Sequence, residues 1–425
     1  MKANIEIEEI IKQTPVQKAQ AIIKEQGRWK GFCSLVNLGW YVFHTDPKVK
    51  KIKENGIRVD RKSIVLEDDG NDLSRSDIGI LFAYLLQNGY NQKYRISVVT
   101  ARPEYFRKYR KLHNVRIYRR RTKNEEHVRF QTFKLEASAG YVFFTDRCTV
   151  TSTKKDDQVY ILLDPACNML KQNKADGVGI ILDYAILSQK ALCYAKSEYF
   201  DWMEENMLPL GRPCYDVLLG QFLPDGEKQM TVSQKKKKIL WVPMNRTAEQ
   251  LKAYQDPLSF LIGLPGLTDI RDLHRLDDFC SEQGVELYVD AVVNGVASTC
   301  INKAWKALHF VSQMDYNYYN IVANMDAFIV DYGVEDFDFL LLHKPMAYML
   351  ADEEEMKRIA GFAFADLKQV MPGQHLYNLE DLQAFICAVG KEEDPYQKER
   401  DMLYQSMPQS KQYCKDILDR FQIKL

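Results

Sequence analysis

Ser63-Ile64-Val65-Leu66 is an unbroken apolar run that ends in Glu67-Asp68-Asp69-Gly70-Asn71-Asp72. A helix-spaced segment follows, Asp77 to Asn88, with Ile78, Leu81, Phe82, Leu85 and Leu86 on one side. A short run without polar alternation suits a strand buried on both faces, and such strands belong to parallel sheets. A strand, a loop and an amphipathic helix in that order make the first half of a βαβ unit.

The pattern repeats downstream. Tyr94–Val99 and Val115–Tyr118 read as strands, Phe130–Ala139 as a helix, and Gly140–Phe144 and Gln158–Leu163 as further strands. A second series starts near Gly211. Its strands are Lys238–Pro243, Val285–Val289, Ala327–Val330 and Met346–Met349. Its helices lie within Leu267–Gln283, Phe337–Leu342 and Leu379–Val389, and Tyr396 to Gln422 reads as one long terminal helical region. Upstream, residues 5–26 form an amphipathic helix with Ile10, Ile11, Ile22 and Ile23 on its apolar side, and Phe32–Phe43 is a buried or interfacial helix. The spacing predicts a helical extension over 1–58, an α/β domain over 59–205, a second over 206–392 and a C-terminal helical region over 393–425. Two doubly wound domains facing a cleft place ligands at the carboxyl ends of their strands.

Composition removes several classes. The 425 residues are 46% hydrophobic and 12% aromatic, which excludes general disorder. Lys+Arg and Asp+Glu are both 58, so the chain is no global polycation. Nine scattered cysteines without a Cys-x-x-Cys point to a reducing compartment. Met1 to Gln20 holds no secretory apolar core, and Phe32–Phe43 is shorter than the ~20 residues a bilayer span needs. No histidine pair has zinc spacing, and there is no P-loop, Gly-x-Gly-x-x-Gly or Gly-x-Ser-x-Gly. No metal or cofactor is expected.

Four segments carry candidate chemistry. Asp68 and Asp69, at the end of the first strand, suit a metal or an acceptor hydroxyl, or else form a solvated loop. Arg102–Lys123 is rich in cations interleaved with Tyr105, Phe106, Tyr109 and Tyr118, and includes Arg119-Arg120-Arg121. It reads as a contact for polyanions or an anionic membrane surface, or as a solvated face. No nucleic-acid module appears. In Pro243-Met244-Asn245-Arg246 an arginine after a strand is placed to grip a phosphate bidentately, or to cap the sheet edge. In Asp331-Tyr332-Gly333 a strand runs into a helix start, which suits an anion unless Glu335 and Asp336 repel it.

The order of these segments resembles the CDP-glycerol:poly(glycerophosphate) glycerophosphotransferases. The match runs through Asp326-Ala327-Phe328-Ile329-Val330-Asp331-Tyr332, Phe337-Asp338-Phe339, Lys344-Pro345, Gly361-Phe362, Asp366 and Pro372-Gly373. Gly211-Arg212-Pro213 with Asp216-Val217-Leu218, the strand ending in Pro243 with Arg246, and Leu81-Phe82-Ala83-Tyr84-Leu85 extend it over roughly 60–390. The resemblance implies a GT-B-like arrangement of two Rossmann-like domains. It implies a transferase that moves a polyol phosphate from a CDP-activated donor to a lipid-linked or polymeric surface-polymer acceptor. It also implies a cytoplasmic, peripheral place at the inner membrane face.

Departures gather where that family has its chemistry. Pro165 stands where the resemblance places a general-base histidine, while Lys171 aligns with a family lysine. Ala291-Val292 stands for a His-Pro, and Gly333 and Val334 for paired serines. Asp164 is then the substitute base, with Lys171 beside it as the second catalytic candidate. Arg246, Asn245, Asp331, Tyr332, Gly333 and Arg212 form the donor and phosphate set. The rival reading is a GT-B-like protein that has lost catalysis and serves as a binding partner in surface-polymer synthesis.

Overall fold

The structure is a computed structural model. It describes residues 46–68, 76–120, 130–145, 154–163, 183–189, 204–224, 230, 236–246, 248–255, 262–290, 303–314, 316, 318–333 and 335–425. The helices expected within 5–26 and 32–43 lie outside these residues.

The first sheet contains β1 (Asp60–Asp68), β2 (Arg95–Thr100), β3 (Val115–Arg119), β4 (Ala139–Phe144), β5 (Val159–Leu163), β6 (Tyr184–Ile186) and β7 (Met207–Leu208). Its order is β3-β2-β1-β4-β5-β6-β7, with every described pair parallel. The second sheet contains β8 (Lys237–Trp241), β9 (Val285–Val289), β10 (Leu308–Phe310), β11 (Ala327–Val330), β12 (Met346–Met349) and β13 (Gln374–Leu376). Its order is β10-β9-β8-β11-β12-β13, again all parallel. In each sheet the winding reverses at one place, between β1 and β4 and between β8 and β11. Such a reversal opens a crevice at the carboxyl ends of the two strands.

The central strands are buried on both faces, as their lack of alternation requires. Ile64, Val65 and Leu66 in β1 are fully buried, as are Ile239, Leu240 and Trp241 in β8. Four strands missed in the sequence, β6, β7, β10 and β13, have three residues or fewer. Segments that short carry no periodicity, and only their place at or toward a sheet edge defines them.

Two expectations are corrected. Asp68 is the last residue of β1 and fully buried, so it is not part of a solvated loop. The terminal helical region breaks into Gln397–Tyr404 and Tyr413–Arg420, with Pro408 in the gap. A proline cannot continue a helix past its first turn, because it lacks the N–H and its ring clashes with the turn before.

The last helix packs on the first sheet's side of the molecule. The Phe421 ring meets Phe143 of β4 and Tyr184 of β6 at 6.4 and 5.3 Å between centroids. The Tyr94 hydroxyl donates to the Lys424 carbonyl at 3.0 Å and accepts from the Lys424 N–H at 3.1 Å. Buried Asp216 accepts from the N–H groups of Tyr413 and Cys414 at 2.6 and 2.9 Å, satisfying two free donors at the start of the helix. Gly211 makes the close approach possible. Its φ is +81°, and a Cβ there would run into the Tyr413 ring.

Candidate active site

The crevice of the second sheet is built by three strand ends. β8 runs into Val242-Pro243-Met244-Asn245-Arg246, β11 into Asp331-Tyr332-Gly333, and β12 into Leu350-Ala351-Asp352. A single side chain ties them. The Arg246 Nε and Nη2 each donate to Asp352 at 3.0 Å, closing a bidentate pair. Its Nη1 donates to the Met244 carbonyl at 2.7 Å and to Asp331. Asp331 accepts from the Met244 N–H at 2.9 Å, so the β8 turn is strapped to the end of β11.

Aromatic groups complete the knot. The Tyr254 hydroxyl donates to Asp352 at 2.5 Å, and the Tyr332 hydroxyl lies 3.4 Å from the other Asp352 oxygen. The Arg246 guanidinium sits 5.4 Å from the Tyr332 ring centre, and that ring stacks on Phe362 at 5.5 Å.

The buried group thus sets one guanidinium between two carboxyl groups. Burial works against the charge on Arg246, but Asp331 and Asp352 outweigh it and hold its pKa above the ordinary value. Burial likewise raises Asp331, and Arg246 pulls it back only in part. Burial pushes the Tyr254 and Tyr332 hydroxyls up, so both stay protonated and able to donate near neutral pH.

This geometry corrects the role assigned to Arg246. Its side chain is 0% exposed and its fork is filled by Asp352, so it presents no pair of N–H groups to a phosphate. It sets the shape of the crevice instead. Asp331, Tyr332 and Gly333 are buried beside it, and the exposed member of the donor set is Asn245.

Arg212 lies elsewhere. Its Nε donates to Asp77 at 2.9 Å, its Nη1 to Asp338 at 2.7 Å and its Nη2 to the Tyr319 hydroxyl at 3.3 Å. Asp77 opens the helix after β1 and Asp338 lies in the helix after β11, so Arg212 is a strut between the two halves. A phosphate-binding role does not fit that placement.

On the first sheet, Asp68 accepts from Thr100 at 2.7 Å and Ser76 at 3.2 Å. Arg120 reaches the Asp68 carbonyl at 3.5 Å, folded over the strand ends, whereas Arg119 is exposed. Asp164, Lys171, Asp69 and Arg121 lie outside the described residues; of the described donor set, the structure brings Arg246, Asn245, Asp331, Tyr332 and Gly333 together and leaves Arg212 apart. Among the described residues no cluster of His, Cys, Asp and Glu could hold a metal ion.

Sequence reasoning missed Asp352, Tyr254, Asp77 and Tyr319. Asp352 carried the same signal as Asp331, a carboxylate just past an apolar strand. Tyr254 follows the short helix Ala248–Ala253 and Tyr319 lies in the short helix Tyr318–Ala323, and neither carried such a signal.

A family model for CDP-glycerol:poly(glycerophosphate) glycerophosphotransferases matches residues 51–412. The chain belongs to that family. Solved structures share its fold. The wall teichoic acid polymerase TagF superposes with a TM-score of 0.64 at 16% identity, covering 92% of this chain and 96% of that one. A histidine-to-asparagine variant of TagF gives 0.65 at 17%, with coverage of 92% and 96%. A putative UDP-N-acetylglucosamine 2-epimerase from Listeria monocytogenes gives 0.53 at 12%, covering 86% and 98%. Comparison with curated protein sequences finds no match. The fold is GT-B, with two Rossmann-like sheets.

Family membership gives the matched motifs a physical meaning. In this glycerophosphotransferase-family chain, Gly211-Arg212-Pro213 and Phe337-Asp338-Phe339 are joined by the Arg212–Asp338 pair. Asp216 of the same motif caps the last helix. Lys344 of Lys344-Pro345 donates to the Ala323 and Met325 carbonyls, closing the end of the helix Tyr318–Ala323. Gly373 of Pro372-Gly373 leaves no room for a Cβ against the Met346 carbonyl. The motifs that survive here hold the scaffold together.

Proposed function

We propose that the chain transfers a polyol phosphate from a CDP-activated donor to a lipid-linked or polymeric acceptor. The observation that carries this reading is the family match across 51–412. A TagF variant soaked with CDPG supports a nucleotide-activated donor for the relative, and we extend that donor class to this chain. The acceptor hydroxyl oxygen attacks the β-phosphorus. The bond from that phosphorus to the bridging oxygen breaks, and CMP leaves with the bridging oxygen. The hydroxyl proton passes to a base, for which Asp164 is the candidate, and Lys171 is the candidate to meet phosphate charge. Such transfers rest on positioning and charge stabilisation, and a base typically adds ~10²–10⁴-fold. Arg246 pre-sets the crevice walls at β8 and β11, and the exposed Asn245 is the side chain we assign to the donor.

A second reading keeps the nucleotide but removes the turnover. It is favoured by Pro165 at the place of the family base and by the closed fork of Arg246. Calorimetric titration with CDP-glycerol, CDP-ribitol and CMP tests both. We expect binding that Asn245→Ala weakens about tenfold, a change that leaves the buried knot intact. Turnover with a lipid-linked acceptor that Asp164→Asn abolishes supports the transferase. Binding without turnover supports the second reading, and no binding to any of the three overturns both.

A further inference from the structure

The chain returns from the second half to the first through its last two helices, Gln397–Tyr404 and Tyr413–Arg420, and the two are held differently. The last one buries Tyr413, Cys414, Ile417 and Leu418, and Asp216 caps its start. The helix before it rests on the second half. There the His343 Nδ1 lies 3.1 Å from Asp401, and the His343 ring meets the Tyr404 ring at 3.8 Å. Ser406 donates at 3.4 Å to Gln189, which follows β6 of the first sheet. The change of side therefore falls at Gln405.

Gln397–Tyr404 lacks an apolar anchor. Its one buried residue is Arg400. Leu403 and Tyr404 are half-buried, Met402 is 65% exposed, and the His343 and Asp401 side chains are each 42% exposed. The Arg400 Nη2 pairs with Asp394, six residues back in the same segment. Among the described residues its Nε and Nη1 meet no acceptor. A buried donor without an acceptor works against the buried state, because water would bond it once exposed. Arg212, at the seam, gives each of its three nitrogens an acceptor. The strut is finished, and the Arg400 contact is not.

We propose that residues 394–404 form a releasable strap, which lifts from the second half while Tyr413–Arg420 stays docked on the first. Lifting keeps the Arg400–Asp394 pair and hands the two idle donors to water, so the buried charge favours release. The Arg212 strut stays closed, and the halves gain freedom to turn about it. Local opening of this kind belongs to the elements with the fewest buried apolar contacts. Replacing a buried ionic group by an apolar one of similar volume is often stabilising, which sets the sign of the test. The inference does not depend on the transferase reading.

The test is amide hydrogen exchange on the full chain without nucleotide. In the parent, amides of 397–404 should exchange about tenfold faster than those of 413–420, and equal protection overturns the proposal. Arg400→Met removes the idle donors and keeps a long unbranched side chain. Loss of the Asp394 pair acts on the docked and lifted states alike, and Asp394 is 20% exposed, so water reaches its carboxylate. We expect exchange in 397–404 to slow about tenfold in this variant, with 413–420 unchanged. Unchanged or faster exchange in 397–404 overturns the proposal and makes Arg400 an ordinary structural ion pair. Spin labels carried by noncanonical residues at exposed Lys93 and Glu380, one on each half, read the freedom of the halves. Their distance distribution should narrow with Arg400→Met, and an equal width overturns the role of the strap. The comparison within the parent needs no variant, so poor folding of Arg400→Met still leaves the proposal open to failure.

Discussion

Arg212 and Arg246 are both buried, and each lies between two aspartates, yet they do different things. Arg246 joins loops that leave neighbouring strands of one sheet, and it spends its fork on a single carboxylate, Asp352. Arg212 spreads its donors over Asp77, Asp338 and Tyr319, which sit on three helices from both halves of the molecule. The first shapes a crevice, and the second fastens one half to the other. The same residue triplet therefore serves a site or a seam according to which elements carry its carboxylates.

Arg246→Ala should show the largest effect. It strands Asp331 and Asp352 in a buried place, and breaking a buried pair in this way costs about 3–5 kcal/mol. It also releases the Met244–Arg246 turn, so CMP binding by the remaining folded protein should vanish. Denaturant unfolding and calorimetry on one preparation read both. Arg246→Lys should not restore binding, because a point charge cannot span Asp352 bidentately. Full affinity in either variant would mean that the crevice does not depend on this knot.

Arg212→Ala separates the two cases. The side chain is 11% exposed, so some water reaches the gap, and a cost of about 3 kcal/mol is expected. CMP affinity should stay within about twofold if the donor sits wholly on the second sheet. Hydrogen exchange should speed up in the helices Asp77–Gln87 and Glu335–Leu340 while β8 and β11 stay protected. Lost CMP affinity would show instead that the donor site needs both halves held together.

Much of this contrast was legible in the sequence, but not its sense. The apolar runs at β1, β8 and β11 declared two parallel sheets, because strands buried on both faces have no alternation to hide. The carboxyl ends of those strands named Arg246, Asn245 and Asp331 as neighbours. What the sequence does not show is burial of a polar side chain. An arginine that clamps a phosphate and one that braces two loops have the same local context. Asp77 and Asp338 decide the role of Arg212 from 135 and 126 residues away, a distance that no local pattern spans. Asp164 was placed by alignment alone, and Leu163 is where the described part of β5 ends.

The finest difference between the two arginines lies in the tyrosine that each knot recruits. Tyr254 donates to the carboxylate of Asp352 at 2.5 Å, a short charge-assisted bond. Tyr319 accepts from Arg212 at 3.3 Å, near the long limit for such a contact. Both tyrosines bond a charged partner, and such bonds contribute about 1.5–3 kcal/mol at good geometry, so the length of the Tyr319 contact is what places it near or below the bottom of that range. Tyr254→Phe should therefore destabilise by about 1.5 kcal/mol or more, and Tyr319→Phe by about 0.5–1. Removing the Tyr254 hydroxyl takes a donor from Asp352 but leaves both Arg246 bonds, so CMP affinity should fall only a few-fold. Paired unfolding curves decide the order. Equal costs for the two phenylalanine variants would mean that the knots are interchangeable ion clusters, and that only the elements bearing the aspartates distinguish site from seam.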